Sequence, residues 1–252
     1  MNKLEKGFLY IAFGESFTKE ALMSIKSLKR YNNEPVALYT DQEQNKDFEG
    51  LVDIYAKINP RHIRAKVDFV NQTPFSKTVY LDSDTLIVRN ISDMFDVLNR
   101  FDVALTNDYA RKRLKYTNII PEYAEIPYSF SEVNGGIMAY NDSLATKTFL
   151  TMWREYFYKY FKQTNGWDQV SLRISLWKSN VRLHHFPFEY NIRSKGNRKK
   201  QDDFKHEYGE SHMEPRIYHM HYDKEVHYGN FKYQLDDLEK YEKNIKEQSV
   251  WY

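Results

Sequence analysis

Residues 78–84 read Thr-Val-Tyr-Leu-Asp-Ser-Asp, an apolar run that leads directly into two aspartates separated by a serine. The run is typical of a buried strand, and Asp82 and Asp84 stand at its carboxyl end, on either side of Ser83. In α/β proteins, ligands bind in the crevice beyond the carboxyl ends of the strands. Because hard divalent cations prefer oxygen ligands, the two carboxylates predict a metal site that also holds a diphosphate.

Two other interpretations of this tripeptide stay open. The aspartates could form a turn and cap the helix that the sequence predicts before Met94. Haloacid-dehalogenase-type phosphatases also place an aspartate pair after an apolar strand, in the pattern D-x-D-x-[TV]. Here the fifth position is Leu86 and the threonine comes one place early, at Thr85, so the match to this pattern is poor.

The composition excludes several classes of site. The 252 residues contain no cysteine, which excludes disulfides, zinc–thiolate sites, iron–sulfur clusters and thiol nucleophiles. The net charge is only +2, so we expect no nucleic-acid partner. The longest early apolar run, residues 8–13, is too short to span a bilayer. We therefore expect a soluble cytoplasmic protein with no integral membrane segment, and the oligomeric state stays open.

Strand and helix patterns alternate along the N-terminal half. Residues 7–13, 35–39 and 52–55 predict strands, and an apolar face at helical spacing predicts a helix between the first two, with Thr18 as its N-cap. A strand, a helix and a strand within about 40 residues form a βαβ unit with a right-handed crossover. We therefore expect a doubly wound N-terminal half within one α/β domain.

The remaining predicted elements are less regular. Residues 111–131 and 193–209 show no clean period and are interpreted as loops. Further strands are predicted at 78–81, 102–106, 133–140 and 217–221, and helices at 62–70, 91–100, 144–161, 168–178 and from residue 231 onward. The aromatic residues of the helix at 144–161 fall at helical spacing, so we interpret them as core.

Residues 193–200 carry five cations and have two interpretations. A nucleic-acid site is one of them, but the segment lacks the interleaved aromatic side chains on which bases stack. A solvated loop, or a lid over an anionic ligand, is therefore the favoured interpretation.

Outside the aspartate pair, other groups suit a phosphorylated sugar ligand. Two cations precede the aspartate pair. A polar side chain adjoins two glycines that let a ligand approach the backbone. A carboxylate and an amide lie at the start of a predicted helix. Two histidines separated by one residue lie on the same face of the late strand and could supply imidazole to a metal. These residues are Arg64, Lys66, Asn134, Gly135, Gly136, Asp168, Gln169, His219 and His221, with Lys224 after them as a phosphate ligand.

The segments VYLDSDTLI, VNGGIMAYN, WDQVSLR, FPFEYNIR and IYHMHYDK, in that order, resemble those of glycosyltransferases of the GT-A fold. The segments especially resemble those of the glycogenin-like and galactosyltransferase members of family 8, and the resemblance spans roughly residues 7–225. The resemblance implies an α/β fold with a Rossmann-like mixed sheet flanked by helices, in a single domain of residues 1–252. It also implies a nucleotide-binding half, 1–110, and an acceptor-side half, 111–252, that ends in the C-terminal helix.

The resemblance assigns roles to particular residues. It implies that Asp82 and Asp84 bind Mn²⁺, or Mg²⁺, which holds the diphosphate of a nucleotide sugar, with a UDP-sugar as the expected donor. It implies one histidine as the third metal ligand, for which the position of His219 fits better while His221 stays open. Implied ligands of the donor nucleotide and its phosphates are Ala12, Phe13, Gly14, Thr40, Asp41, Arg64, Lys66, Ser83, Gly135, Gly136 and Lys224; those near the transferred sugar are Asn134, Asp168 and Gln169.

The implied activity is transfer of a hexose or pentose to a hydroxyl of a glycan, protein or small-molecule acceptor, with retention of anomeric configuration. An inverting enzyme would instead need a carboxylate base near the acceptor, and Asp108, Glu132 and Glu189 are available. A module that binds a nucleotide sugar without turning it over is the non-enzymatic alternative.

Overall fold

The computed structural model describes residues 3–108, 110–193 and 214–219. The predicted terminal helix, most of the basic segment, His221 and Lys224 lie outside the described residues.

Nine strands form two sheets in the described chain. The central sheet has seven strands in the order β3-β2-β1-β4-β7-β6-β8, and β5 pairs with β9 in a small antiparallel sheet. The strands are β1 Leu4–Ala12, β2 Val36–Thr40, β3 Ile54–Lys57, β4 Phe75–Leu81, β5 Thr85–Ile87, β6 Val103–Asn107, β7 Val133–Asn141, β8 Leu183–His185 and β9 Ile217–His219.

The central sheet is mixed, as predicted. Strands β3, β2, β1 and β4 run parallel, β7 runs antiparallel to both β4 and β6, and β8 is parallel to β6. The carboxyl ends of β1, β2, β4 and β6 therefore share one edge of the sheet with the amino end of β7. The residues that follow β1, β2, β4 and β6 therefore lie at the same edge as the first residues of β7.

Helices cover both faces of the central sheet. They are α1 Glu15–Lys29, α2 Lys66–Phe69, α3 Leu114–Thr117, α4 Pro121–Glu125, α5 Leu144–Lys159, α6 Phe161–Thr164 and α7 Gln169–Lys178. Turns of 3₁₀ helix lie at Lys46–Phe48, Val70–Gln72, Ser92–Asn99 and Phe188–Tyr190. None of the helices in the described ranges is both long and apolar enough to cross a bilayer.

The prediction of Thr18 as an N-cap is wrong. Helix α1 begins at Glu15, and Gly14, with φ of 89°, takes the N-cap position. Thr18 lies inside the first turn, where its hydroxyl donates to the Gly14 carbonyl oxygen at 2.9 Å and bonds the Thr40 hydroxyl at 2.7 Å. Because threonine can satisfy its hydroxyl against the preceding turn, its presence alone does not mark where a helix begins.

Other boundaries also differ from the sequence prediction. The helix predicted at 62–70 is α only over Lys66–Phe69, and the one predicted at 91–100 is a 3₁₀ helix over Ser92–Asn99. Residues 111–131, predicted to be irregular, contain two short helices, and strands β5 and β8 were not predicted. Elements of three to five residues carry little hydrophobic periodicity, so the sequence identifies only some of them, and tertiary pairing determines the rest.

Side chains that alternate along the central strands fill two cores, one on each face of the sheet. Phe8 and Tyr10 of β1 pack in the layer beneath α1, whereas Leu9 packs in the opposite layer, which α5 and α7 cover. The aromatic face of α5 is buried in that second layer through Phe149, Trp153 and Phe157, which confirms its interpretation as core.

Candidate functional site

The Asp82-Ser83-Asp84 tripeptide forms the turn between β4 and β5. The backbone N–H of Asp82 donates to the Gly136 carbonyl oxygen at 2.7 Å, and the Thr85 hydroxyl donates to the Asp82 carbonyl oxygen at 2.9 Å. Because a strand and not a helix follows this turn, the interpretation of the aspartates as helix caps is wrong. The turn instead holds both carboxylates at the carboxyl edge of the sheet.

His219 completes a group of three side chains that could hold a metal ion. Its backbone lies opposite Thr85 in the β5–β9 pair, which places its ring against the turn. The imidazole Nε2 lies 3.3 Å from Asp84 Oδ1 and 3.8 Å from Asp82 Oδ2. One ligand atom from each of the three residues falls within 4.8 Å of the others. Two carboxylates and an imidazole form a donor set that suits a borderline cation such as Mn²⁺.

A buried asparagine orients the imidazole. His219 Nδ1 lies 2.8 Å from Asn191 Oδ1. Because an amide carbonyl oxygen only accepts hydrogen bonds, Nδ1 carries a hydrogen, and Nε2 is the ring nitrogen that faces the two carboxylates. Metal-binding histidines are usually oriented in this way, with the second ring nitrogen donating to a fixed acceptor. The donor set and its orientation thus fit a divalent cation.

Gly136 is the position where the site needs a residue without a side chain. A Cβ at Gly136 would lie 2.2 Å from His219 Cε1 and 2.6 Å from Asp82 Oδ2, distances at which atoms overlap. At Gly135 the closest contact would be with Leu172 Cδ2, at 3.0 Å. The predicted close approach to backbone in this segment is therefore made by the protein's own metal-site side chains.

Lys66 is the cation that contacts the aspartate pair. Its Nζ, nearly buried, lies 3.1 Å from both carboxylate oxygens of Asp82 and 3.2 Å from the Gly135 carbonyl oxygen. The Tyr80 hydroxyl also donates to Asp82 Oδ1. Burial, together with the charge of Asp82, raises the pKa of Tyr80 well above its usual range, so this hydroxyl keeps its proton.

Asp168 is connected to the metal site through the same lysine. It is buried at the start of α7, where Lys66 Nζ lies 3.6 Å from Oδ2 and Arg64 Nε lies 3.6 Å from Oδ1. Burial alone would raise the pKa of Asp168, but Lys66 and Arg64 outweigh it and lower that pKa. The carboxylate is therefore held in its charged form.

Ser83 turns away from the two metal-site carboxylates, toward helix α1. Its hydroxyl donates to Glu20 Oε2 at 2.9 Å, and Glu20 is buried beneath the turn. Burial, with the charges of Asp84 and Asp82, raises the pKa of Glu20 well above its usual range. Asp82 and Asp84 thus place negative charge beside Glu20, and that charge favours the binding of a cation.

Asn134 and Gln169, which we expected near a transferred sugar, contact the protein itself. Asn134 Oδ1 accepts from the Gly136 N–H at 3.0 Å and from Asn191 Nδ2 at 3.1 Å. The Gln169 amide donates to the Val133 carbonyl oxygen. Asn134 thus belongs to the network that orients His219, and both side chains lie at the edge where β7 begins.

The residues expected at the nucleoside end lie at the same sheet edge, beyond β1 and β2. The Gly14 N–H donates to Asp41 Oδ1 at 2.7 Å, and Ala12 lies opposite Thr40 in the β1–β2 pair, followed by the half-buried Phe13. Burial would raise the pKa of Asp41, but the hydrogen bonds from Gln42 and Gly14 lower it. The Asp41 carboxylate is thus fixed and charged beside the sheet edge.

Two of the three carboxylates considered as bases are paired with arginines. Arg193 Nη1 lies 2.7 Å from Asp108 Oδ2, and Arg113 Nε lies 3.3 Å from Glu132 Oε2. Tyr123 also donates to Glu132. Glu189 lies in the turn after β8, partly buried.

Sequence reasoning did not single out Asn191, Tyr80 or Glu20. Tyr80 stands two residues before Asp82, so strand alternation could have placed both on one face. Asn191 belongs to the FPFEYNIR segment, but nothing local indicates that it contacts His219. Glu20 lies in a helix, and only the packing of α1 under the turn reveals its contact with Ser83.

Solved structures share this architecture. The galactosyltransferase LgtC, solved with donor and acceptor sugar analogues, aligns with a TM-score of 0.62 at 12% identity, over 96% of this chain and 95% of LgtC. Mouse xyloside xylosyltransferase 1 aligns with a TM-score of 0.57 at 10% identity, over 86% of this chain and 97% of that one.

The chain has the GT-A glycosyltransferase fold. GlyE of Streptococcus pneumoniae TIGR4, a further GT-A structure, aligns with a TM-score of 0.57 at 17% identity, over 97% of this chain and 64% of GlyE. No protein-family model and no curated protein sequence matches the chain. The predicted GT-A fold is thus confirmed at the level of three-dimensional structure.

Proposed function

We propose that this protein is a metal-dependent glycosyltransferase that moves a hexose or pentose from a nucleotide-diphosphate sugar to an acceptor hydroxyl. The observation that carries the proposal is the Asp82–Asp84–His219 group at the carboxyl edge of a GT-A sheet. A UDP-sugar is the proposed donor and Mn²⁺, or Mg²⁺, the proposed metal. Residues 1–110 would bind the nucleotide, and residues 111–252 would supply the acceptor side.

Each part of the site has a role in this reaction. The C1–oxygen bond of the donor breaks, the acceptor oxygen bonds to C1, and the acceptor proton passes to the leaving diphosphate. A cation held by Asp82, Asp84 and His219 would stabilise the negative charge that develops on that diphosphate. Lys66 would add a fixed positive charge, and the ionised Asp168 would accept hydrogen bonds from sugar hydroxyls.

Retention of configuration is the proposed stereochemical outcome. It follows from the resemblance to family 8, and the pairing of Asp108 and Glu132 with arginines makes these two carboxylates less suited to act as the base that an inverting enzyme needs. Nuclear magnetic resonance of the product's anomeric proton would test this proposal, and a product of inverted configuration would contradict it.

The decisive experiment is to measure UDP release from a panel of UDP-sugars without acceptor, with Mn²⁺ and with excess chelator. The proposed enzyme releases UDP from at least one donor, and only with metal. A module that only binds nucleotide sugars would show affinity without turnover. A phosphatase would release inorganic phosphate from simple monoesters, which a parallel phosphate assay detects.

A further inference from the structure

A separate cavity of about 370 Å³ opens beside Asp168. Its walls come from three parts of the chain: the segment before α2, the start of α3 and the turn before α7. The side chains that matter for its chemistry are Arg64, Arg113, Lys115, Tyr116 and Trp167. The expectations drawn from the sequence assigned only Arg64, as a ligand of the donor phosphates.

The cavity is lined by three cations and no acidic side chain. The nearby carboxylates balance only part of this charge, because Asp168 and Asp108 each pair with two cations, whereas Glu132 pairs with Arg113 alone among the described residues. Arg64 shares Asp168 with Lys66, at 3.6 Å from each. Arg113 is 3.3 Å from Glu132 and 3.8 Å from Asp108, which pairs with Arg193.

Lys115 carries the least compensated of these charges. It is exposed, and it forms no ion pair with any residue in the described ranges. Its Nζ instead lies 4.6 Å from the centre of the Tyr116 ring and 5.9 Å from that of Trp167. The cavity thus has a surplus of positive charge, which favours an anionic ligand.

Aromatic rings contact two of the three cations, Arg113 and Lys115. The Arg113 guanidinium lies 4.5 Å from the centre of the Trp167 ring, and the Tyr116 and Trp167 rings lie 5.7 Å apart. Such cation–π contacts fix the direction of otherwise flexible side chains and reduce the entropy lost when a ligand binds. The arrangement is therefore preorganised for a ligand.

Ion pairs link the lining of the cavity to the candidate metal centre. Trp167 immediately precedes Asp168, and Arg64 lies 3.6 Å from the Asp168 carboxylate. Lys66 joins that carboxylate to Asp82, at 3.6 Å and 3.1 Å respectively. A ligand in the cavity would therefore lie near Asp168, whose carboxylate Lys66 joins to the aspartate proposed to hold the metal.

We propose that this cavity binds the acceptor, and that the acceptor is a sugar bearing a carboxylate or phosphate group near the hydroxyl that is glycosylated. This inference rests on the proposed function, because it requires a donor sugar beside Asp168. The anionic group pairs with Arg64, Arg113 and Lys115, and the acceptor hydroxyl points toward Asp168.

Calorimetric titration of the full chain tests this inference without requiring turnover. The probes are methyl glucuronide and glucose 6-phosphate, which carry the two kinds of anion, and methyl glucoside as the neutral match. We expect at least one charged probe to bind at least tenfold more tightly than methyl glucoside, and added salt to weaken that binding. The charged probe that binds more tightly shows whether the cavity prefers a carboxylate or a phosphate group.

Lys115→Glu is the test variant and Lys147→Glu, on the exposed face of α5, is its matched control. Both replace an exposed lysine, so we expect the melting temperature of each to stay close to that of the wild type. Lys115→Glu should weaken binding of the charged probe at least tenfold, while Lys147→Glu should leave it unchanged. Lys115→Arg should restore binding.

Equal affinity for charged and neutral probes would overturn the inference, as would equal effects of the two charge reversals. So would an increase in donor KM for Lys115→Glu, because the cavity would then serve the donor. The UDP-release assay separates the two proposals: metal-dependent UDP release without selective binding of charged probes contradicts only the acceptor inference. Selective binding without UDP release from any donor contradicts the proposed function.

Discussion

His219 Nε2 lies 3.3 Å from Asp84 Oδ1, although the two residues belong to distant parts of the chain. The contact exists because β9 pairs with β5 and places His219 opposite Thr85, the residue after Asp84. Asn191 Oδ1, 2.8 Å from the other ring nitrogen, fixes which nitrogen faces the carboxylates. This relationship makes the candidate metal centre testable residue by residue.

The first prediction is that a divalent cation binds the folded protein. Mn²⁺ should raise the melting temperature more than Ca²⁺ does, because a site with an imidazole suits a borderline cation better than a hard one. At 100 times its dissociation constant, the ion would add about 2.7 kcal/mol to the free energy of unfolding. Thermal-shift assays with each ion check this, and UDP release unaffected by excess chelator would contradict it.

Replacing Asp84 by asparagine should remove turnover and leave the fold intact. The side chain lies in a turn outside both cores, and the substitution removes one negative charge at constant size. UDP release should fall at least about 100-fold, in line with the loss of one ion ligand. Asp53→Asn, in the loop before β3, is the control. Wild-type kinetics, or a circular dichroism spectrum typical of an unfolded chain, would count against the assignment.

His219→Ala should raise the Mn²⁺ concentration for half-maximal activity about 10- to 100-fold, and more than His221→Ala does. The reason is that His219 Nε2 faces both aspartates, whereas two histidines separated by one residue have Cα atoms about 6.6 Å apart. A metal titration of both variants provides the measurement. A larger shift for His221→Ala would reverse the assignment, and no shift in either would remove histidine from the site.

Gly136→Ala should disrupt the centre far more than Gly135→Ala. A methyl group at Gly136 overlaps both His219 and Asp82, whereas at Gly135 it meets only the end of Leu172, at 3.0 Å. Overpacking of this kind costs about 1–3 kcal/mol of unfolding free energy. Chemical denaturation and Mn²⁺ titration of both variants test this, and equal Mn²⁺ affinities would show that Gly136 is not needed for the centre.

Stability should depend on pH through Asp102. Hydrogen bonds from the Arg182 side chain hold the pKa of Asp102 well below its usual range, despite partial burial. A carboxyl whose pKa is lower in the folded state stabilises it above the unfolded pKa, about 3.9, and this contribution is lost as the pH falls through the folded pKa. Asp102→Asn should therefore lower the urea midpoint at pH 7, and the difference from wild type should shrink below about pH 4. If the difference in urea midpoint between wild type and Asp102→Asn did not change with pH, the lowered pKa of Asp102 could not be its cause.

The sequence alone determined the strand that leads into Asp82 and Asp84, helix α5 with its buried aromatic face, and the α/β class. These features depend on local patterns: an apolar run before two acids, or apolar residues at a helical period. Such patterns do not depend on the rest of the chain, because burial of one face of the element is enough to determine them.

The tertiary structure decided which residues meet at the candidate site. Strand β5 has three residues, too few for a periodic signal, yet its pairing with β9, within a segment that the sequence predicted as a strand, delivers His219 to the aspartates. Tertiary packing also produces three other features of the site. Asn191 contacts His219, glycine is needed at Gly136, and Lys66 bridges Asp82 and Asp168. Each joins residues from separate elements, so its geometry depends on how the whole chain packs and not on any local stretch of sequence.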